Sequence, residues 1–285
     1  DALESGSDVI KANSINSREY TRRESLSFIN VKKNRNTESK KKPKFYDVEN
    51  VSASYSFSEE YHRDYSIAKY LEQNLNAGLS YNFNFAPLNI EPFKNSKILK
   101  SKYWKFIRDI NINPMPNVFA VNSKVNRGYN EQESRTLIEG FSDQPLLVQR
   151  NFLFDWDYTI GFDLTKSIQL NFNATNNYIY DSNGTDEDLQ IFDKVLEIGR
   201  LTQYHQKLNG TYKLPINKLP YFGFINADYG YSADFDWQGS SQNEIVNNDL
   251  TISTYEDVVG NMIQNSNTHN LNTDIDFTRF YKDIG

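Results

Sequence analysis

Two aspartates two residues apart are the first candidates for chemistry in this sequence. Asp155 and Asp157 lie in a stretch where apolar and polar residues alternate, so they share one face of a strand. The rise of a strand separates them by roughly 6.5–7 Å. Inverting glycosidases place their general acid and general base within this range. A hydrated face lined by Asp and Asn produces the same pattern without catalysis, and we favour that interpretation.

The remaining motifs do not define an active site. A kinase catalytic loop contains His-Arg-Asp, which occurs here at His62-Arg63-Asp64. The sequence has no Asn at the required downstream spacing, no Gly-rich loop and no Asp-Phe-Gly motif. His62, His205 and His269 have no second histidine at helical or strand spacing, which argues against a histidine metal site. The acidic run 181–188 resembles a calcium loop without its sixth-position glycine, and either a plain acidic loop or a loose cation contact fits it. We therefore expect no enzyme activity, no cofactor and no metal site.

Composition excludes several classes of protein. The 285 residues are 38% hydrophobic and 14% aromatic, and no apolar run reaches the roughly 20 residues of a membrane helix. The absence of cysteine excludes disulfides and thiolate metal sites. The net charge of -6 argues against nucleic acid as the main partner. The chain begins with Asp1 and shows no signal segment at its start, so we interpret it as an internal piece or a processed product.

Long segments with a period of two residues are the dominant pattern, and they predict strands with one apolar and one polar face. Ordinary strands have about 5–6 residues, whereas a tilted membrane strand needs about 9–11. The predicted fold is therefore all-β, a segment of a transmembrane antiparallel up-and-down β-barrel. About nine strands are predicted, at 18–31, 48–60, 73–86, 117–131, 149–164, 168–181, 200–214, 220–238 and 267–279.

The alternation also assigns side chains to the two faces. Charged residues are nearly absent from the apolar face, where Arg or Lys at mid-depth of a bilayer would cost about 2–4 kcal/mol. The residues predicted to face a lumen are Asp155, Asp157, Asp163, Asn171, Asn173 and Asp228. The residues predicted to face lipid or a partner are Trp156, Tyr158, Phe162, Leu170, Phe172, Tyr229 and Phe235.

The connections between these strands alternate between two ends of the sheet, and their charges differ. Connections 32–47, 87–116, 165–167 and 215–219 have a net charge of +11, and we call their side the basic end. Connections 61–72, 132–148, 182–199 and 239–266 have a net charge of -10, and we call their side the acidic end. A basic rim suits anionic phospholipid headgroups.

One connection at the basic end contains a predicted amphipathic helix over residues 94–110. Its apolar positions recur at helical spacing, among them Leu99, Tyr103, Phe106 and Ile107. Pro114 and Pro116 prevent its continuation. It fits an interfacial helix on the inner leaflet, a helix packed on the barrel rim, or one packed on soluble protein.

An odd number of strands has a structural consequence. Single-chain bacterial barrels have even strand numbers, and the unpaired edges of a lone sheet are strongly disfavoured in hydrocarbon. We therefore expect these strands to form an arc of a larger barrel, covering roughly 55 Å at the usual spacing and tilt.

Several strand-edge motifs are similar to the C-terminal part of the SprA/Sov family. They comprise 41–50 with the following 51–57, Tyr61-His62-Arg63-Asp64, Asn113-Pro114-Met115-Pro116-Asn117, Asn126-Arg127, Asn130-Glu131-Gln132 and Phe277-Thr278-Arg279-Phe280-Tyr281. The resemblance spans most of the chain from about Arg18. It implies a giant outer-membrane barrel of Bacteroidota, the translocon of the type 9 secretion system, which exports folded proteins and serves gliding motility. It also implies secreted cargo proteins, a PorV-type barrel and a periplasmic plug protein as partners.

The expected function is thus a wall segment of a protein-conducting channel, located in the outer membrane among its lipids. A nutrient receptor of the TonB-dependent kind is a second candidate, and it would add a plug domain to the barrel. A soluble β protein that binds glycans is the third, and it predicts that the apolar faces of two sheets pack together.

Overall fold

The computed structural model describes residues 18–36, 42–95, 101, 104–136, 144–180, 189–219, 221–240, 244–246, 252–254 and 260–284. These residues form eleven strands and two α-helices. The strands are β1 (Tyr20–Lys32), β2 (Val51–Arg63), β3 (Ile67–Asn84), β4 (Val118–Ser134), β5 (Leu147–Phe162), β6 (Ile168–Ile179), β7 (Arg200–Leu214), β8 (Ile225–Gln238), β9 (Glu244–Val246), β10 (Ile252–Thr254) and β11 (Met262–Ile275). The helices are α1 (Lys105–Arg108) and α2 (Phe277–Ile284).

Nine of the strands form one antiparallel sheet. Its order is β1-β2-β3-β4-β5-β6-β7-β8-β11, so each strand pairs with its predecessor and successor apart from the small β9–β10 hairpin inserted before β11. The long strands have between 12 residues in β6 and 18 in β3. The prediction of an all-β, up-and-down antiparallel sheet of about nine long strands is confirmed, and the sheet is consistent with a barrel segment.

The largest differences from the expected strand boundaries occur in β3, β8 and β11. β8 begins at Ile225 rather than at 220. β3 begins at Ile67, six residues before the predicted start at 73. β11 covers Met262–Ile275 rather than 267–279, and α2 occupies the end of the predicted strand. The side chain of Asp276 explains this end, because its Oδ1 accepts a hydrogen bond from the Arg279 backbone N–H at 3.1 Å and caps the helix.

The expected amphipathic helix at 94–110 is described only in part. Lys94 lies in a turn, and helical structure is described for Lys105–Arg108. Leu99 and Tyr103 lie outside the described residues, as does the side chain of Phe106, while Ile107 is half-buried.

Both edges of the large sheet are open within the described chain. β1 pairs only with β2, and β11 only with β8. Every residue of these two edge strands is exposed. Each edge therefore presents a row of unpaired backbone N–H and C=O groups.

The apolar core is small for a chain of this size. Among the described residues only nine apolar side chains are buried, namely Leu75, Phe83, Tyr129, Phe152, Ala174, Leu189, Ile191, Phe224 and Ala227. The accessible surface is 20415 Å². A compact monomer of 33.2 kDa would expose about 12,600 Å². The sheet therefore leaves most of its faces uncovered rather than folding them into a self-contained core.

No second large sheet lies against this one in the part of the chain that the structure describes. The β9–β10 pair is the other sheet there, with three residues in each strand. No described helix has the length and hydropathy needed to cross a membrane.

Candidate functional site

Five of the six polar residues predicted to share a face do so in the structure. Directly opposed residues on adjacent strands point to the same side of a sheet. The pairs Gly161–Asn171 and Thr159–Asn173 place both asparagines on the side of Asp155 and Asp157. Through β7, Lys213 pairs with Asp228 and places it on the same side, which we call the polar face. Asp163 follows the end of β5 and accepts a hydrogen bond from Asn117 Nδ2 at 2.8 Å.

The seven aromatic and aliphatic residues also share a face, the opposite one, which we call the aromatic face. The pairs Phe162–Leu170 and Ile160–Phe172 join β5 to β6. Leu208 then joins Phe172 to Ala233 of β8, between Tyr229 and Phe235. Their rings form a layer, with centroid distances of 5.3 Å for Trp156–Tyr158 and 5.8 Å for Tyr158–Phe172.

The two candidate catalytic carboxylates do not converge. Asp155 accepts a hydrogen bond from Asn177 Nδ2 of β6 at 2.7 Å. Asp157 accepts one from Asn122 Nδ2 of β4 at 2.8 Å. Because the two side chains bind to strands on opposite sides of β5, they are not aimed at a shared substrate position. No group of three or more metal-ligating side chains occurs among the described residues.

The polar face is built mainly of amides and hydroxyls. β2 contributes Ser52, Ser54, Ser56 and Ser58, which oppose a row of small or amide residues of β3. Lys207 Nζ forms an ion pair with Asp234 at 3.1 Å, and Asp155 and Asp157 accept hydrogen bonds from asparagine amides. The face is thus a polar surface whose carboxylates have hydrogen-bond partners.

Charged residues on the aromatic face are confined to one half of the sheet. In β1–β8 every charged residue on this face lies toward the acidic end: Arg22, Glu24, Glu59, Arg63, Lys69, Arg127, Glu131, Glu133 and Arg150. Several form ion pairs with one another, including Arg22 with Glu59 and Lys69 with Glu131. The aromatic face is therefore divided into an uncharged band toward the basic end and a charged band toward the acidic end.

Arg127 is the most buried of these charged residues, at 2% exposure. Its guanidinium lies 4.6 Å from the Phe152 ring and donates hydrogen bonds to three backbone carbonyls of the connection between β6 and β7. These belong to Ile191 at 3.1 Å, Asp193, and Lys194 at 2.8 Å. We call residues 189–199 of that connection the strap.

The strap covers the part of the charged band that lies on β2–β5. Leu189 and Ile191 are buried with Leu75, Tyr129 and Phe152. Further contacts come from the Phe192 ring, 5.2 Å from that of Phe57, and from Arg150 Nε, which donates to the Leu189 carbonyl at 2.9 Å. Protein rather than lipid or solvent thus covers this part of the face.

The charge difference between the two ends persists with the observed strand boundaries. At the basic end, 33–50, 85–117, 163–167 and 215–224 contain 14 Lys or Arg and 6 Asp or Glu by count of the sequence. At the acidic end, 64–66, 135–146, 180–199 and 239–261 contain 2 and 13. Net charges of +8 and -11 at opposite ends of one sheet give it a strong polarity along its strands.

A tight turn at the acidic end joins β2 to β3. Asp64 Oδ1 accepts hydrogen bonds from the Ile67 backbone N–H at 2.7 Å and from the backbone N–H and hydroxyl of Ser66 at 2.7 and 2.9 Å. The bond from Ile67, followed by that from the Ser66 hydroxyl, lowers the pKa of Asp64 to about 2. The carboxylate thus stays ionised, and the turn intact, across the range of natural pH.

No protein-family model and no curated protein matches this chain.

Sequence reasoning missed Arg127 and the strap. The facing of the stretch 118–129 was ambiguous because polar residues occur on both of its sides. The register decides it, since Arg127 opposes Leu75 and Phe152 of the aromatic face. Arg127 lies two residues from both Val125 and Tyr129, and this single charge among apolar residues of one face is the signal that could have identified it.

Proposed function

We propose that this chain is a wall segment of a giant outer-membrane channel that exports folded proteins, of the kind that the type 9 secretion translocon represents. The observation that carries the proposal is a nine-stranded sheet with an aromatic face, a polar face and two open edges. A sheet of this form cannot satisfy its backbone in a bilayer unless further strands join both edges. Nine strands therefore form an arc of a wider barrel.

The proposed barrel would enclose a wide conduit. A barrel of about 36 strands would have a backbone diameter of roughly 70 Å at the usual spacing and tilt. The polar face would line this lumen, where amides and hydroxyls let a folded protein pass without strong adhesion. The uncharged band of the aromatic face would meet lipid, or a partner such as a PorV-type barrel.

The two ends support an orientation. The basic end would lie against the phospholipids of the inner leaflet, where anionic headgroups attract Lys and Arg. The acidic end, with the strap and the charged band, would extend beyond the hydrocarbon on the outer side. A periplasmic plug protein would act at the basic end, and gliding motility would depend on the exported cargo.

The test uses cysteines placed on the two faces of one strand in the intact protein. This chain contains no cysteine, so Asn173→Cys and its neighbour Phe172→Cys are matched positions one residue apart. A bulky polyethylene glycol maleimide coupled to Asn173→Cys should stop release of a folded cargo protein into the medium. Phe172→Cys should resist the water-soluble reagent and secrete normally. Unchanged secretion with a fully modified Asn173→Cys would show that the polar face does not line the export path.

A further inference from the structure

The connection between β1 and β2 forms a cationic pocket at the basic end. It is lined by residues 33–36, which follow β1, and by residues of the segment 42–49, which precedes β2. Its volume is about 530 Å³, which is enough for a small organic ligand. The charged lining residues leave a net charge of +2, and they are Lys33, Arg35, Lys42, Lys44, Asp47 and Glu49.

The cations of this pocket exceed the carboxylates that are available to pair with them. Asp47 Oδ2 accepts a hydrogen bond from the Lys44 backbone N–H at 2.8 Å, so this carboxylate closes a turn. Glu49 lies 3.8 Å from Lys33 Nζ and 3.9 Å from Arg35 Nη1, so one carboxylate faces two cations. The pocket can therefore accept the negative charge of a ligand.

Hydrogen bonds hold the second lining segment in a defined conformation. Asn50 Nδ2 donates to the Lys44 carbonyl at 2.8 Å and to the Phe45 carbonyl at 3.1 Å. The Phe45 carbonyl also accepts a hydrogen bond from the Tyr81 hydroxyl of β3. Together with the turn at Asp47, these bonds fix the backbone that carries Lys44, so binding requires little ordering of this segment.

The bond to Tyr81 also shows on which side of the sheet the segment lies. Tyr81 opposes Val121 of β4, and Val121 opposes Tyr158 of the aromatic face. Tyr81 therefore belongs to this face, near the basic end of its uncharged band. Because the Tyr81 hydroxyl reaches the Phe45 carbonyl, the cationic pocket lies at the basic margin of the aromatic face.

Apolar side chains border the cations of the pocket. Phe45, Tyr46 and Val48 are 59, 63 and 67% exposed, and the last two line the pocket itself. Tyrosine beside Lys and Arg is typical of the headgroup level of a membrane. A phospholipid matches both kinds of side chain, because its phosphate can bind the cations while its glycerol and acyl chains contact the apolar groups.

We propose that the cationic pocket binds the headgroup of an anionic phospholipid, with the phosphate at Arg35, Lys42 and Lys44 and the acyl chains along the uncharged band. The proposal rests on the proposed function, because it takes the aromatic face to meet lipid. It deepens that function by naming the class of lipid that the wall holds at its basic end and the residues that select it.

Native mass spectrometry of the intact protein with defined lipids tests the proposal. Phosphatidylglycerol is compared with phosphatidylcholine, which has the same phosphate but no net charge. The unchanged protein should bind phosphatidylglycerol several-fold more tightly. The double variant Lys42→Gln with Lys44→Gln should lose roughly 30-fold in this affinity, as expected for two lysines near an anionic lipid. Equal affinities of the unchanged protein for the two lipids would overturn the proposal.

A matched control separates the pocket from the general charge of the basic end. Lys94→Gln with Lys282→Gln removes the same charge from this end outside the pocket, so its affinity for phosphatidylglycerol should be nearly unchanged. An equal loss in both double variants would overturn the proposal in favour of diffuse attraction. Inorganic phosphate and glycerol 3-phosphate are added as competitors. Displacement of the lipid by an equal concentration of either would mean that the pocket takes a free phosphate.

The pair Asn173→Cys and Phe172→Cys keeps this proposal distinguishable from the proposed function, since neither position lines the pocket. If both cysteines behave as expected and phosphatidylglycerol is not preferred, the pocket alone is wrong. If Phe172→Cys reacts with the water-soluble reagent as readily as Asn173→Cys, the membrane orientation itself is wrong.

Discussion

Replacement of Arg127 by Met should detach the strap from the sheet. Methionine retains apolar packing on the Phe152 ring but removes the charged donor to three strap carbonyls. A hydrogen bond from a charged donor contributes about 1.5–3 kcal/mol, so the loss of all three should cost about 3–5 kcal/mol. Since about 1.4 kcal/mol changes an equilibrium tenfold, the detached fraction should rise on the order of 100- to 3000-fold.

Limited trypsin digestion of the folded protein measures this fraction, because cleavage tracks the population of the open form when opening is fast. Lys194 lies within the strap and Arg200 follows it, so both cleavage sites remain in the Arg127→Met protein. Arg150→Met is the matched control. It removes a positive charge from the same band together with the hydrogen bond from Nε to the Leu189 carbonyl.

The expected order of cleavage rates is Arg127→Met, then Arg150→Met, then the unchanged protein. Equal protection of the strap in Arg127→Met and the unchanged protein would refute the reasoning that the three carbonyl contacts hold it. A faster cleavage in Arg150→Met than in Arg127→Met would do the same, because it would assign the attachment to the hydrogen bond between Arg150 and the Leu189 carbonyl.

Three further predictions follow from single residues. Leu170→Lys should prevent assembly, because a lysine in hydrocarbon costs about 2–4 kcal/mol, whereas the adjacent Asn171→Lys should assemble. Heat-modifiable migration on gels distinguishes the two variants. Equal assembly would mean that the aromatic face does not meet lipid. The pKa of Asp64 is about 2, below its ordinary 3.8, so its contribution to the turn is present above pH 3.8 and is lost as the pH falls through 2. Amide exchange at Ser66 and Ile67, relative to its intrinsic rate, should accelerate as the pH falls through this interval and stay constant above it. Gly199→Ala should destabilise the start of β7, because its φ is +82° and a Cβ would lie 2.4 Å from the Ile179 carbonyl oxygen. Gly260→Ala, at φ +75° with no atom within 4 Å of the added Cβ, should lower the stability by less. Thermal unfolding compares the two variants.

The period of two residues was sufficient to predict the sheet, and on β5, β6 and β8 it also predicted which residues share a face. Side chains alternate strictly between the two faces of a strand. The placement of Asp157 and Tyr158 on opposite faces therefore needs no information about residues distant in sequence. β7 was predicted with its observed boundaries, Arg200–Leu214, because its alternation is bounded by Gly199 and Pro215. Whether the polar face meets water and the aromatic face meets lipid stays a prediction.

The boundaries that differed have local causes. β3 extends to Ile67 because Lys69 pairs with Glu131 of the next strand, and an ion pair on the apolar face breaks the sequence pattern. The first residues of β11 were missed because both of its faces carry amides, which hide the alternation. The strap could not be predicted, since a connection folded back on a face is fixed by contacts distant in sequence, as between Arg127 and Ile191.

The chain-order pairing of the sheet bears on how such a wall is made. Apart from the step over the β9–β10 hairpin, each strand lies beside its immediate predecessor, so the arc can grow one hairpin at a time through local encounters. The two edge strands, β1 and β11, differ from these internal pairs, because the strands that would pair with their free edges are not among the described residues. Produced by itself, this segment would carry two adhesive margins and would associate with other copies of itself. Biogenesis would then depend on keeping the growing ribbon from premature contacts until its circumference is complete.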